Sequence, residues 1–165
     1  MADFQTILDQ VARVVGGTAP DPTNRPRWFS GAQTADSTGV TGLLGCYSAP
    51  PETIQDVPTG LVMPLSFTVP NSILTQGEEY NEDLIRLVLF VARNDPQTQW
   101  ATLAPYRDTV AAAFRSHLQL FASLNVLDAS LVNGKSGILD WGGVPYLVWD
   151  MTIRVRRMFT PTYTA

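Results

Sequence analysis

One cysteine, one histidine and one lysine are all that this chain of 165 residues holds of three chemically versatile side chains. Cys46 alone cannot close an internal disulfide. With His117 it cannot supply the four ligands of an ordinary structural zinc site. A concentrated basic face is also missing: 11 basic residues against 15 acidic give a net charge of −4, which argues against an autonomous nucleic-acid binder. The opening Met1-Ala2-Asp3-Phe4 lacks the basic and apolar regions of a signal peptide, and no apolar run approaches the roughly 20 residues that span a bilayer. A soluble protein made in a reducing cytoplasm, with no membrane partner, is the expectation.

With 45% hydrophobic and 16% charged residues, the chain is the size of one domain and can bury roughly two-thirds of its unfolded surface. Its cations are Lys135 and ten arginines, whose planar forks suit fixed carboxylate or aromatic contacts. Genomic base composition is the simpler source of that bias.

Phe4, Ile7, Leu8, Val11 and Val15 fall at helical spacing over residues 3 to 15, and Gly16-Gly17 stops the helix. Residues 18 to 39 have no sustained period and read as a long loop, in which the adjacent Trp28 and Phe29 suggest an anchor on the domain or on a neighbouring chain. Residues 40 to 48 suit a short strand. Leu61 to Val69 is β-prone, and Pro64 within it predicts an edge or a bulge. Glu78, Glu79, Glu82 and Asp83 form an acidic stretch, read as a solvated loop, that leads into Leu84 to Ala92, apolar on both faces and so a central strand.

Pro105 is expected to open a second helix, with Asp108 in its first turn and the stripe Tyr106, Val110, Ala113, Phe114, His117, Phe121, Leu124 facing the sheet. Strands follow at Val126 to Leu131 and Ile138 to Trp141, separated by a turn at Asn133-Gly134-Lys135-Ser136-Gly137. After Gly142-Gly143 a long strand runs from Val144 to about Phe159. In it Leu147, Trp149, Met151, Ile153 and Val155 point one way and Asp150, Thr152, Arg154 and Arg156 the other, with Arg157 on the apolar row. The absence of βαβ alternation gives an α+β fold: a mostly antiparallel sheet packed by two main helices in a single domain.

No residue set argues for catalysis. Ala129 to Ser136 fits a permissive phosphate-binding loop, but a strand-like Ile-Leu-Asp-Trp follows where a helix must begin, so Lys135 is read as a turn residue with no phosphate to hold. Cys46 and His117 as nucleophile and base, with Asp108 or Asp128 orienting the ring, have no local support. Four acids beside a strand lack calcium-loop spacing. Asp140 and Asp150 are better read as members of a charge-paired strand face than as an acid and base. No cofactor and no metal are expected.

An N-terminal helix, Tyr47-Ser-Ala-Pro-Pro51 followed by Val57-Pro58, a core strand, Pro105-Tyr106-Arg-Asp and Trp141-Gly-Gly-Val-Pro-Tyr146 leading into a long strand together resemble the tail-terminator family of long-tailed bacteriophages. The resemblance runs from about residue 4 to residue 158 and rests on order and spacing. It implies a non-enzymatic virion protein, assembled in the host cytoplasm. Its copies would close into a ring, usually a hexamer, that caps the tail tube protein and joins it to the head-tail connector protein, while DNA passes through without specific binding. Another neck or head-completion protein, or a minor tail subunit, fits the same pattern. A nucleotide-binding protein is the more distant alternative. Trp28, Phe29, Glu78, Glu79, Arg154, Arg156 and Arg157 are the candidate subunit contacts, the arginines of one copy facing the acids of the next.

Overall fold

The computed structural model describes residues 4–17, 19–20, 27–29, 40, 42–54, 56–68, 79–93, 96–121 and 125–159. The helical spacing near the start forms α1 (Phe4–Gly16), which buries Ile7, Leu8, Val11 and Val15. Gly17 ends it with φ +113° and donates its N–H to the Arg13 carbonyl at 3.0 Å, a conformation that a residue with a Cβ rarely adopts.

Among the described residues, seven strands form one sheet. In chain order they are β1 (Ala19–Pro20), β2 (Arg27–Phe29), β3 (Cys46–Tyr47), β4 (Thr59–Thr68), β5 (Glu79–Arg93), β6 (Val126–Trp141) and β7 (Val144–Phe159). Their spatial order is β1-β2-β3-β4-β5-β7-β6, with β3 parallel to β4 and every other pair antiparallel. The α+β class expected from the sequence is the one observed, with two helices packed on a mixed, mostly antiparallel sheet. As its two-faced apolar character requires, β5 lies inside the sheet, between β4 and β7.

The sheet has two unequal cores. On one face α1 and α2 (Pro96–Ser116) cover Ile85, Leu87, Leu89, Met151, Ile153 and Val155. On the other, Ile54 and Val57 pack into a smaller cluster around Tyr47, Leu61, Phe90 and Tyr146. Phe90 meets Trp141 and Tyr146 edge-on at 5.8 and 5.3 Å, and Trp141 Nε1 donates to the Pro51 carbonyl at 3.0 Å. Beyond this small cluster the outer face carries charged side chains.

Several sequence expectations are corrected. The span 18 to 39 is not one uninterrupted loop, because β1 and β2 lie within it; two or three residues are too few for a period-2 pattern to show. The strand expected over 40 to 48 is reduced to Cys46–Tyr47. The second helix opens at Pro96 rather than Pro105, so Asp108 sits mid-helix. Pro105 is tolerated inside it because the Ala101 carbonyl that loses its hydrogen bond belongs, like Pro105, to an exposed residue. The helix stops at Ser116, ahead of Leu120 and Phe121 at φ +46° and +63°, so the long stripe is helical only to Phe114. Leu124 lies outside the described residues.

The largest correction is at residues 133–137. Asn133-Gly134 makes no turn; β6 runs unbroken from Val126 to Trp141, with a register shift between Leu131 and Asn133. Gly134 stands opposite Met151, where a Cβ would come within 3.1 Å of Met151 Cγ, so close packing rather than turn geometry places glycine there. The true turn is Gly142-Gly143, whose φ values of +58° and +79° match the two-residue hairpin that follows strand twist.

Candidate assembly surface

β7 carries a row of polar side chains on the outer face, and Arg154, Arg156 and Arg157 lie near its end. Arg86 of β5 donates to Asp150 through two prongs, Nε to Oδ1 at 3.0 Å and Nη2 to Oδ2 at 2.8 Å. That hydrogen bonding raises the Arg86 guanidinium above its ordinary value, against the opposing pull of burial. Arg156 forks onto Asp128 of β6, with Nε to Oδ1 at 2.8 Å and Nη2 on Oδ2. The expected charge-paired strand face is therefore present, but the partner of Asp150 is Arg86 rather than Arg154 or Arg156.

Arg157 lies on the opposite, helix-bearing face, 9% exposed, and donates from Nε and Nη2 to Asp83 Oδ2 at 2.9 and 2.8 Å. The expected solvated acidic loop is thus corrected: Glu79, Glu82 and Asp83 belong to β5, opposite Phe159, Arg156 and Val155, and Asp83 is buried. The apolar run of 84–92 hid the start of the strand, because a buried arginine supplies what Asp83 needs there. Two of the three arginines thus have carboxylate partners within their own chain. Arg154 differs, since its Nε is buried with no hydrogen-bond partner among the described residues. Glu78 lies outside the described residues. Trp28 and Phe29 are in β2, where Trp28 pairs in register with Cys46 and Pro20, and Phe29 with Ala19.

β4 shows both features that Pro64 implies. Its register with β5 shifts between Pro64 and Ser66, and β3 flanks it only at Gly60 and Leu61. Among the described residues, the stretch from Met63 to Thr68 has no strand on its outer side, and it exposes Leu65 by 50% and Phe67 by 75%. Sequence reasoning found this edge but missed its two apolar side chains as surface features. At the far side of the sheet, no described strand lies beyond β6. Val132 and Ile138 are exposed on it, as is Leu127.

A hollow of about 670 Å³ opens beside the free end of β4, lined by Phe4, Pro64, Leu65, Ser66, Phe67, Thr68, Asn81, Asp83 and Arg157. Among the described residues, its charged groups are the Arg157–Asp83 pair. Asn81 Oδ1 is buried there without a partner among the described residues.

The other sequence candidates are not brought together. Cys46 is fully buried, its Sγ 3.8 Å from the Tyr47 carbonyl. The His117 ring lies against the Ala113 carbonyl at 3.1 Å and the Phe121 ring at 4.7 Å. Lys135 stands in β6 opposite Asp150, with no helix following Ser136. Among the described residues, no group of three or more His, Cys, Asp or Glu side chains is placed to hold a metal ion. No described helix is long and apolar enough to cross a membrane.

No protein-family model matches the chain, and no curated protein matches its sequence.

Proposed function

We propose that this chain is a structural, ring-forming subunit, the tail terminator of a long-tailed bacteriophage. Copies would close a ring, a hexamer by the family resemblance, that caps the tail tube and joins it to the head connector. The observation that carries the reading is a pair of unlike edges on one sheet that are open among the described residues: the distal half of β4 on one side and β6 on the other. Two different edges on one chain make a head-to-tail contact, and such contacts generate rings when the rotation closes.

Strand polarity supports the same arrangement. Across β4, β5, β7 and β6 the strands alternate in direction, so β4 and β6 run oppositely. A neighbour rotated about an axis along the strands therefore offers β6 antiparallel to β4, the pattern of the other long pairs. The edges also suit one another chemically: Met63 to Thr68 carries no charge, and the nearby Asp128 of β6 is already paired with Arg156. Arg154 and the Trp28-Phe29 strand remain the further contacts to test. A net charge of −4 suits a passage for DNA, since affinity for phosphates needs cations.

Negative-stain microscopy of the purified protein, and of particles lacking it, tests this reading. Rings on the wild-type protein, or tails of uncontrolled length without a closing ring when it is missing, are expected. One monomeric copy per particle would overturn it.

A further inference from the structure

We infer that the hollow beside the open end of β4 is a socket for an apolar knob, Leu118 and Leu127, on the neighbouring copy. The inference rests on the ring reading and names the side-chain contact that completes its edge-to-edge pairing.

The hollow lies on the helix-bearing face. Phe67 pairs in register with Asp83, Asp83 with Val155, and Val155 belongs to the core under the helices. Phe4 forms one wall from the first turn of α1, and Phe67 stands 75% exposed at the rim. Among the described residues its charges already neutralise each other through Arg157 and Asp83, so the hollow suits an apolar occupant rather than a counter-ion.

The knob is at the opposite side of the same sheet. Leu118, 48% exposed, follows the end of α2 and shares a shallow depression with His117, Phe121 and Leu127. It also borders Ala129, Ser130 and Leu131 of β6. Leu118 and Leu127 therefore project beside the open β6 edge on the face that carries the helices.

Knob and socket also share one height. A single line of register crosses the sheet from Phe67 through Asp83 and Val155 to Ala129. When β6 of a neighbour is laid against β4 without stagger, its Leu118 and Leu127 arrive over Phe67 and Phe4. The two surfaces are different patches of one chain, so the contact is head-to-tail, as ring closure demands. A few central side chains seated in desolvated pockets carry most of the energy of such interfaces.

The test uses the full chain. Leu118→Asp, Leu127→Asp and Phe67→Asp should each melt as the parent does and weaken self-association by about 100-fold in sedimentation. Phe67→Cys combined with Leu118→Cys should give, on mild oxidation, a covalent ladder longer than a dimer; either cysteine alone should give dimers at most. Cys46 is fully buried and stays silent. If an aspartate variant fails to fold, the cysteine pair decides alone. Rings that assemble normally in folded aspartate variants, or that form without the cross-link, overturn the socket and leave the ring standing. A wild-type chain that never assembles, alone or on tail tubes, overturns the ring and the socket with it.

Discussion

Arg86 and Asp150 join β5 to β7 diagonally: Arg86 stands opposite Thr152 and Asp150 opposite Val88, yet the two side chains meet in a two-pronged contact at 3.0 and 2.8 Å. The side chains are 33% and 23% exposed, so water screens the pair and its worth is about 1 kcal/mol. Lysine keeps the charge but not the fork. Arg86→Lys should therefore lower the melting temperature by roughly 2–4 °C, Asp150→Asn by a similar amount, and the double variant by little more. Calorimetry of the four proteins checks the coupling.

Arg157 and Asp83 form the costlier pair, because both are buried. Asp83→Ala leaves the guanidinium in the protein without its carboxylate and should cost about 3–5 kcal/mol in urea unfolding. Replacing both, Asp83→Leu with Arg157→Met, should recover most of that loss. An additive double variant would show that the two charges act separately.

Three glycines separate turn from strand. Gly142 holds φ +58° with a hypothetical Cβ 3.1 Å from the Glu52 carbonyl oxygen, so Gly142→Ala should destabilise by about 1 kcal/mol or more. Gly137 has open space around it, and Gly137→Ala should stabilise by about 0.4–1 kcal/mol by restricting the unfolded chain. Gly134→Ala pushes on Met151 and should be the intermediate case. Thermal melts of the three variants give the order directly.

Burial raises the Tyr106 phenol above its ordinary 10.0. The folded value then exceeds the unfolded one, so the stability linked to the neutral phenol is complete below pH 10 and is lost as pH rises through the folded value. Tyr106→Phe should flatten this alkaline loss relative to the parent, while leaving the neutral-pH unfolding curve nearly unchanged. Urea midpoints from pH 8 to 11 provide the comparison.

The elements legible in the sequence were those whose burial pattern is long and regular. α1 shows its buried face at Ile7, Leu8, Val11 and Val15, and β7 alternates apolar and polar side chains from Trp149 to Arg156. Residues 133–137 misled because Asn-Gly has a strong local turn preference, and the ladder to Asn133, Gly134 and Lys135 of β6 from Thr152, Met151 and Asp150 of β7 overrides it. The acids 79–83 misled for the reverse reason. The place of Asp83 in a strand depends on Arg157, more than 70 residues away in sequence, and no local pattern announces that pairing. The open β4 edge was readable from Pro64 alone. The hollow beside it was not, since its walls come from four separate elements.

β7 sits between β5 and β6, although both precede it in the chain. A ribosome therefore releases β5, with its apolar stretch Leu84 to Ala92, well before the strand that will cover its second edge exists. Until β7 arrives, the nascent chain presents that edge to any other extended segment, a condition that favours misassembly. The sheet closes late, when the β6–β7 hairpin docks along the waiting edge of β5, and many of its pairings span long stretches of chain, which makes folding slow. Holding chaperones that bind extended apolar segments should consequently raise the yield of folded protein, acting during synthesis rather than after it.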